Sequence, residues 1–420
     1  MHTLAFLDPG HFHATLTLRE RGAAVSPEIL VYAAAGPELD DFLALIGRFN
    51  RRAERPTAWR PRVRLSADPL AHLLAERPGD VVVVAGRNGG KARAIEALHA
   101  AGLHVLADKP WLVEPGDLDA IRASLAGGAL VREMMTGRLD PAARLMKRLI
   151  DEPGLFGGFD DGPAPAIEQE SVHHFEKRVD GVPLRRPWWY FDSRVQGGGA
   201  VDIPTHLVDQ AQWWVDGGVP RLLSARGWST RVPLDVFGRV SGAPAVPPAL
   251  APAVEGRALR VFSNAELLYR LAGVTARAVA RWEVSTPPGG GDTSRVVLRG
   301  RAATVSLVQA AETGFRRRLR VEARGDAAAT ARALAIALEA ARPEFPGVAQ
   351  RRCGDRRHEI TVGAGSGGGH ESHFALLLAE LLGWIDAGHR PDALAARTLA
   401  KYAVLAEAAA ATAADAAAGR

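Results

Sequence analysis

The chain has 420 residues, 47% hydrophobic and 24% charged, with 44 Gly and 27 Pro, enough for two domains or three, each with a real core. That balance excludes a mostly disordered or collagen-like chain. The formal net charge is +5, from 47 Arg and only five Lys against 47 acids, and Arg51-Arg52, Arg316-Arg317-Arg318 and Arg356-Arg357 are short, scattered solvated faces. No nucleic-acid tail is expected.

Cys353 is the single cysteine, which excludes intrachain disulfides and thiolate metal cages and fits a reducing compartment. The N-terminus shows no basic region followed by a long apolar one, and no apolar run approaches about 18 residues. A cytoplasmic protein without a membrane segment is expected.

In chain order, Thr3–Leu7 reads as a strand and His13–Arg21 as a helix. Ile29–Ala33 is a second strand. Pro37–Arg52 follows as a helix with Leu39, Phe42, Leu43, Ile46 and Phe49 on one face. Val81–Ala85 is continuously apolar, as in a strand buried on both faces of a parallel sheet. A helix over Ala92–Ala101 and a strand over His104–Ala107 continue the rhythm, which predicts a doubly wound parallel sheet. The texture changes near Leu130–Thr136. After a helix at Pro141–Asp151, the segments Arg221–Thr230, Val274–Val284, Ser294–Leu298, Ala303–Val308 and Leu319–Ala323 read as strands without intervening helices. That block predicts a large, open, mostly antiparallel sheet in an α+β second domain. Gly242–Glu255 reads as a loop, Gly363–Gly369 as a flexible link, and Glu371–Ala387 and Pro391–Ala416 as closing helices. The expected domains are 1–135, Rossmann-like and dinucleotide-binding, and 136–420, for substrate and oligomerisation, with helices 370–416 packing back on the first.

Three motifs carry chemistry. The first strand–turn–helix reads Leu7-Asp8-Pro9-Gly10-His11-Phe12-His13, where a dinucleotide fingerprint needs glycines so that backbone can approach a pyrophosphate. Only the middle one, Gly10, is present; an ordinary turn explains the rest equally well. The second strand ends Tyr32-Ala33-Ala34-Ala35, without the acid that holds adenosine ribose hydroxyls. Next, Ala107-Asp108-Lys109-Pro110 places a lysine at the carboxyl end of a strand, the edge where open α/β sheets bind ligands. A lysine there can hydrogen-bond a substrate oxygen. Third, Gly197-Gly198-Gly199-Ala200-Val201-Asp202-Ile203-Pro204-Thr205-His206 leads into a helix whose start is expected near Ala200–Asp202, since Pro204 is tolerated only in a first turn. Asp202 and His206 then share a face at i and i+4, as a general base with its carboxylate or as a structural pair.

Together these motifs resemble the glucose–fructose oxidoreductase/inositol dehydrogenase (Gfo/Idh/MocA) family, whose usual tripeptide is Glu-Lys-Pro and whose helix motif is Gly-Gly-Gly-x-x-x-Asp-x-x-x-His. Thr136-Gly137-Arg138-Leu139-Asp140-Pro141 is similar to that family's entry to its second domain. The resemblance spans about residues 1–215 and the helix from His370 onward. It implies an NAD(P)-dependent oxidoreductase, an enzyme acting on CH–OH groups of a sugar, glycoside or polyol, with NAD or NADP as cofactor and a homo-oligomer as assembly. It implies Lys109, Asp202 and His206 as catalytic residues. Gly10, His11, Phe12, Ala85, Asn88, Asp108 and Lys109 would line the cofactor, with no metal. Asp108 stands where the family has Glu, and Lys91 where it has a histidine. His173, His174, Trp188, Trp189 and Asp192 fall where the family approaches substrate; aromatic faces suit a pyranose ring, although an aromatic core explains the tryptophans too.

Two other readings of the same residues stand beside this one. A metal-dependent hydrolase could use His11 and His13, with Asp202, His173, His174 and His206 as further ligands. A non-catalytic sensor or partner subunit could keep the fold without normal cofactor affinity. Among the five lysines, Lys147 and Lys401 are expected on helices with no chemistry nearby, and Lys177 in a loop without an assigned role.

Overall fold

Four consecutive valines, Val81–Val84, form a strand buried on both faces, and the strands beside it are nearly as apolar. In the computed structural model, which describes residues 1–179, 182–363 and 370–418, they belong to a six-stranded parallel sheet. Its strands are β1 (Leu4–Leu7), β2 (Glu28–Ala33), β3 (Arg60–Leu65), β4 (Val81–Val84), β5 (His104–Ala107) and β6 (Val131–Glu133), in the order β3-β2-β1-β4-β5-β6. This is the Rossmann-like arrangement, with helices α1 (Phe12–Leu16), α2 (Pro37–Arg51), α3 (Pro69–Glu76), α4 (Lys91–Ala100) and α5 (Asp117–Ser124) as crossovers. α1 is shorter than expected and ends at Leu16. Edge strand β3 escapes sequence reading because RPRVRL is half arginine and mostly exposed.

The chain divides into two compact units. The first comprises 1–136, 194–197 and 368–402, the second 137–193, 198–367 and 403–420. Residues 364–369, most of the expected flexible link, lie outside the described residues.

The second unit is built on a ten-stranded, mostly antiparallel sheet. β7 (Ile167–Glu176) runs parallel to β13 (Val274–Ser285) and antiparallel to β14 (Thr293–Arg299). A small separate pair, β8 (Arg178–Val179) and β9 (Val182–Pro183), follows β7. β10 (Arg221–Pro233), β11 (Val254–Glu255) and β12 (Ala258–Leu271) lie on the β13 side. Beyond β14 lie β15 (Ala303–Gln309), β16 (Arg318–Ala323), β18 (Arg357–Thr361) and the edge strand β17 (Ala349–Arg352).

The expected run of strands without helices is corrected. α10 (Leu234–Ser241) interrupts it; α6 (Pro141–Ile150), α7 (Pro153–Phe156), α8 (Ser193–Gln196) and α9 (Pro204–Trp214) precede it, and the 15-residue α11 (Ala327–Ala341) follows its last strand. The Gly242–Glu255 loop contains a 3₁₀ turn at Pro248–Ala253. The closing helices are α12 (His373–Asp386) and α13 (Asp392–Ala418), and no helix among the described residues is long and apolar enough to cross a membrane.

Candidate active site

In the first unit, the carboxyl ends of β1, β4 and β5 gather Gly10, His11, Phe12, Ala85, Asn88, Asp108 and Lys109 at one sheet edge. Asp8 leaves β1 with φ 43°, a left-handed conformation that Asp tolerates better than most residues. The Gly10 N–H then donates to Asp8 O (2.7 Å) and the His11 N–H to Ala85 O (3.0 Å), tying the turn to the end of β4. Gly86 is required at this crossing: a Cβ there would meet Asp8 O at 2.3 Å. Asn88 is buried, donates to Gln196 O (2.7 Å) and accepts from Lys91 Nζ (2.6 Å). Phe12 is 43% exposed and its ring lies beside both histidines.

Asp108 is the electrostatic centre of this edge. Lys91, its ammonium fully enclosed, lies 3.1 Å from Oδ1. His13 Nδ1 donates to Oδ2 at 3.0 Å; His11 Nδ1 is equally close but lacks hydrogen-bond alignment. Burial alone would raise the Asp108 pKa, but the Lys91 ammonium and the two imidazoles hold it well below the carboxylate range. Burial pushes His13 down from 6.5 to about 3, against the pull of Asp108.

His13 therefore makes stability depend on pH. The unfolded chain binds its proton near 6.5 and the folded chain only near 3. The contribution is complete above about pH 7 and is lost as pH falls from 6.5 toward 3. By pH 5 the loss amounts to roughly 2 kcal/mol. A His13→Gln variant should show a visibly flatter dependence of melting temperature on pH between about 5 and 8. Parallel curves for the two proteins would remove His13 from the account.

Lys109 follows this cluster directly. The Asp108 N–H donates to Val84 O (2.9 Å), and the Trp111 N–H donates to the Tyr402 hydroxyl (2.9 Å), so the backbone is held on both sides of the lysine. Trp111 is fully buried and stacks on Tyr402 at 5.7 Å. Behind them Glu133 pairs with Lys401 and accepts from Tyr402, all buried. Lys401 thus does not stand on a helix remote from chemistry. Its partner Glu133 is 268 residues away in the chain, and no local pattern announces it.

The second unit carries the other expected residues. Gly199 passes so close to β12 that a Cβ would meet the Asn264 backbone at 2.3 Å, and its N–H donates to Phe262 O (3.1 Å). The expected helix start is corrected: α9 begins at Pro204, and the buried Asp202 lies in the turns before it, its N–H donating to Gly198 O (3.3 Å). His206 is in the first turn of α9.

The substrate-facing candidates divide by strand geometry. On β7, successive residues point to opposite faces, so His173 and His174 do not face one way. His173 lies 5.1 Å from the Trp282 ring, whereas His174 is buried with its Nε2 3.4 Å from Glu283. Both reach Asp292, His173 Nδ1 at 3.2 Å from Oδ2 and His174 Nδ1 at 3.1 Å from Oδ1, and Lys177 pairs with the same carboxylate. Trp188 is half-buried; Trp189 is 1% exposed and belongs to the core, and Asp192 is also buried. Arg186 fastens this turn: it donates to Phe175 O (3.1 Å) and His174 O (3.0 Å) and lies over the Tyr190 and Trp282 rings. Trp282 and Asp292 are absent from the sequence expectation, and Lys177, for which no role was expected, pairs with Asp292.

Among the described residues, His11, His13 and Asp108 could bring three ligand atoms within 4.8 Å of one another. Lys91 already supplies the positive charge at Asp108, and a dication would lie beside that ammonium. The metal-hydrolase reading also needs a (β/α)8 barrel, and this fold has a six-stranded open sheet instead.

Comparison with known proteins completes the description. A family model described as "Putative oxidoreductase C terminal domain" matches residues 145–413. A crystal structure of a "putative oxidoreductase" from Parabacteroides merdae is 36% identical, covering 99% of this chain and 98% of that one, with a TM-score of 0.95. A levoglucosan dehydrogenase in complex with NADH and levoglucosan is 16% identical over 98% of this chain and 97% of that one, with a TM-score of 0.62. A 3-ketoreductase from Actinomadura kijaniata, in complex with NADP and TDP-benzene, is 14% identical over 98% and 97%, with a TM-score of 0.59. These last two share the fold. No curated protein matches the chain.

Proposed function

The chain belongs to the Gfo/Idh/MocA oxidoreductase family, and on that premise we propose that it is an NAD(P)-dependent enzyme moving a hydride between nicotinamide and a hydroxyl-bearing carbon of a sugar, glycoside or polyol. The observation that carries this reading is Lys109, held by backbone hydrogen bonds on both sides at the carboxyl edge of a Rossmann-like sheet. The levoglucosan dehydrogenase and the 3-ketoreductase, crystallised with NADH and NADP, support the cofactor class and the carbohydrate-like substrate.

The residues present fit the nicotinamide end of such a cofactor. Gly10, His11, Ala85, Asn88, Asp108 and Lys109 share one edge, and the Gly86 crossing keeps the backbone there close and bare. The adenosine end has no carboxylate on Ala33, Ala34 or Ala35, which leaves NADP as acceptable as NAD. When bound, nicotinamide supplies the hydride acceptor or donor. Lys109 binds the reacting oxygen and stabilises negative charge developing on it. His206 exchanges the hydroxyl proton, and Asp202 positions substrate or imidazole. The half-buried Trp188 offers an apolar face to a sugar ring.

The test has two parts. A mass and absorbance spectrum of purified protein, with calorimetric titration of NAD+, NADH, NADP+ and NADPH, should show dinucleotide binding; none binding would end this reading in favour of a non-catalytic subunit. Turnover with levoglucosan, methyl β-D-glucopyranoside and myo-inositol should then appear as nicotinamide reduction, and His206→Ala should lower kcat by about 10²-fold with cofactor affinity unchanged. A cytoplasmic homo-oligomer belongs to the same reading, supported by the broad face of the ten-stranded sheet with its Arg226–Glu266–Arg277 row; light scattering tests it.

A further inference from the structure

Ser171 and His173 lie two residues apart on β7 and therefore share one face, in register with buried Ala280 and Trp282 of β13. Ser171 Oγ is 2.9 Å from His173 Nε2, and His173 Nδ1 is 3.2 Å from Asp292 Oδ2. Asp292 is held in turn by Lys177 and by the His174 N–H (3.2 Å) and Nδ1 (3.1 Å).

The charges around Asp292 favour one arrangement of protons along this line. Burial tends to raise the Asp292 pKa, but His173 and Lys177 bring it well below the carboxylate range, so it accepts only. His173 Nδ1, 3.2 Å from that acceptor, is the ring nitrogen on which the hydrogen is favoured. Burial lowers the His173 pKa against the attraction of Asp292, so the ring is neutral and Nε2 presents a lone pair. Ser171 has to donate to it. The one hydrogen of the Ser171 hydroxyl is committed inward, and its oxygen keeps acceptor capacity for anything outside. Ser171 is half-buried, so a ligand can reach it.

We propose that Ser171 is a dedicated hydrogen-bond acceptor for one substrate hydroxyl, its polarity set by His173 and Asp292, so that this position selects a free –OH and rejects an ether or keto oxygen. This inference rests on the hydroxyl-bearing substrate proposed above. Both ring nitrogens of His173 are engaged, so the imidazole acts on substrate through Ser171, as a positioning residue. An acceptor brought against Ser171 Oγ would leave two desolvated oxygens facing each other without a hydrogen between them.

The experiment compares methyl β-D-glucopyranoside with its four monodeoxyfluoro analogues, in which each hydroxyl in turn becomes a near-isosteric group that cannot donate. With NAD+ or NADP+ and the intact protein, the analogue fluorinated at the reacting carbon has no hydroxyl to oxidise and is inert; among the remaining analogues one position should stand out, losing about a hundredfold or more in kcat/KM. In Ser171→Ala that penalty should shrink to within about tenfold, and Ser171→Thr, which keeps the hydroxyl, should restore it. Asp292→Asn is the sharper variant. Its amide can donate to Nδ1, which moves the ring hydrogen to Nε2 and turns the Ser171 hydrogen outward. The penalty should then fall at that position alone, whereas a merely structural loss would lower all the reactive sugars together. No outstanding position in the wild type, or an unchanged profile in Ser171→Ala and Asp292→Asn, overturns the inference alone. A wild type that binds none of the dinucleotides refutes the oxidoreductase reading, and this inference with it.

Discussion

Replacing Lys109 with alanine is expected to lower hydride-transfer turnover by about 10³-fold while changing dinucleotide affinity by less than about tenfold. The size follows from the role: one preorganised donor aimed at a developing alkoxide contributes about 10²–10³ in kcat, and a cation adds to that. Preorganisation here has visible sources. Asp108 on one side and Trp111 on the other are tied to Val84 and Tyr402, so the lysine starts from a backbone that does not reorganise during reaction. Lys109→Arg should rescue little, because a planar, longer guanidinium neither occupies the same point nor matches a single oxygen. Single-turnover kinetics with calorimetric cofactor titration make the comparison. Turnover in Lys109→Ala within about tenfold of wild type would transfer the oxygen-binding role elsewhere.

Lys109 was legible because strand, chemistry and proline lie within seven consecutive residues, and the two βαβ sheet edges around it follow from apolar runs such as Val81–Val84. β7 was not legible as a strand. Its sequence IEQESVHHFE has no apolar alternation, because Glu168 and Glu170 face Arg299 and Arg281 across the sheet while Ser171 and His173 face polar partners. Had the strand been assigned, period two would have separated His173 from His174 and joined it to Ser171. Asp292 lies in a Pro- and Gly-rich turn more than 110 residues away, so its tie to His173 is purely tertiary. Asp202 shows the converse. Its spacing from His206 reads as one helical face, but Pro204 opens α9 and leaves Asp202 in the preceding turns. Lys91 was visible only as a departure from a family histidine; its burial against Asp108 is what makes that departure a charge-balanced exchange.

Lys401 sets the other large effect, on stability. Its side chain is 1% exposed and that of Glu133 3%, and Glu133 also accepts from the Tyr402 hydroxyl. Burial, and then the Glu133 charge, push the Tyr402 pKa well above 10, so Tyr402 stays a neutral hydroxyl that donates to Glu133 and accepts from the Trp111 N–H. Lys401→Met leaves a buried carboxylate without its cation, a change that costs about 3–5 kcal/mol. Adding Glu133→Leu to Lys401→Met removes the orphaned charge as well, and the double variant should recover most of the loss, since a buried pair replaced by apolar groups of similar volume is often near neutral. Tyr402→Phe should be milder, about 1–3 kcal/mol, because it removes two hydrogen bonds, from the Trp111 N–H and to the Glu133 carboxylate, rather than a whole charge. It should also lower kcat more than it changes KM, since Trp111 lies two residues from Lys109 and is one of the two points that hold that lysine in place. Denaturant midpoints for the four proteins order these expectations. A Lys401→Met midpoint equal to wild type, or a double variant no better than the single, would mean that Glu133 is compensated by something other than this pair.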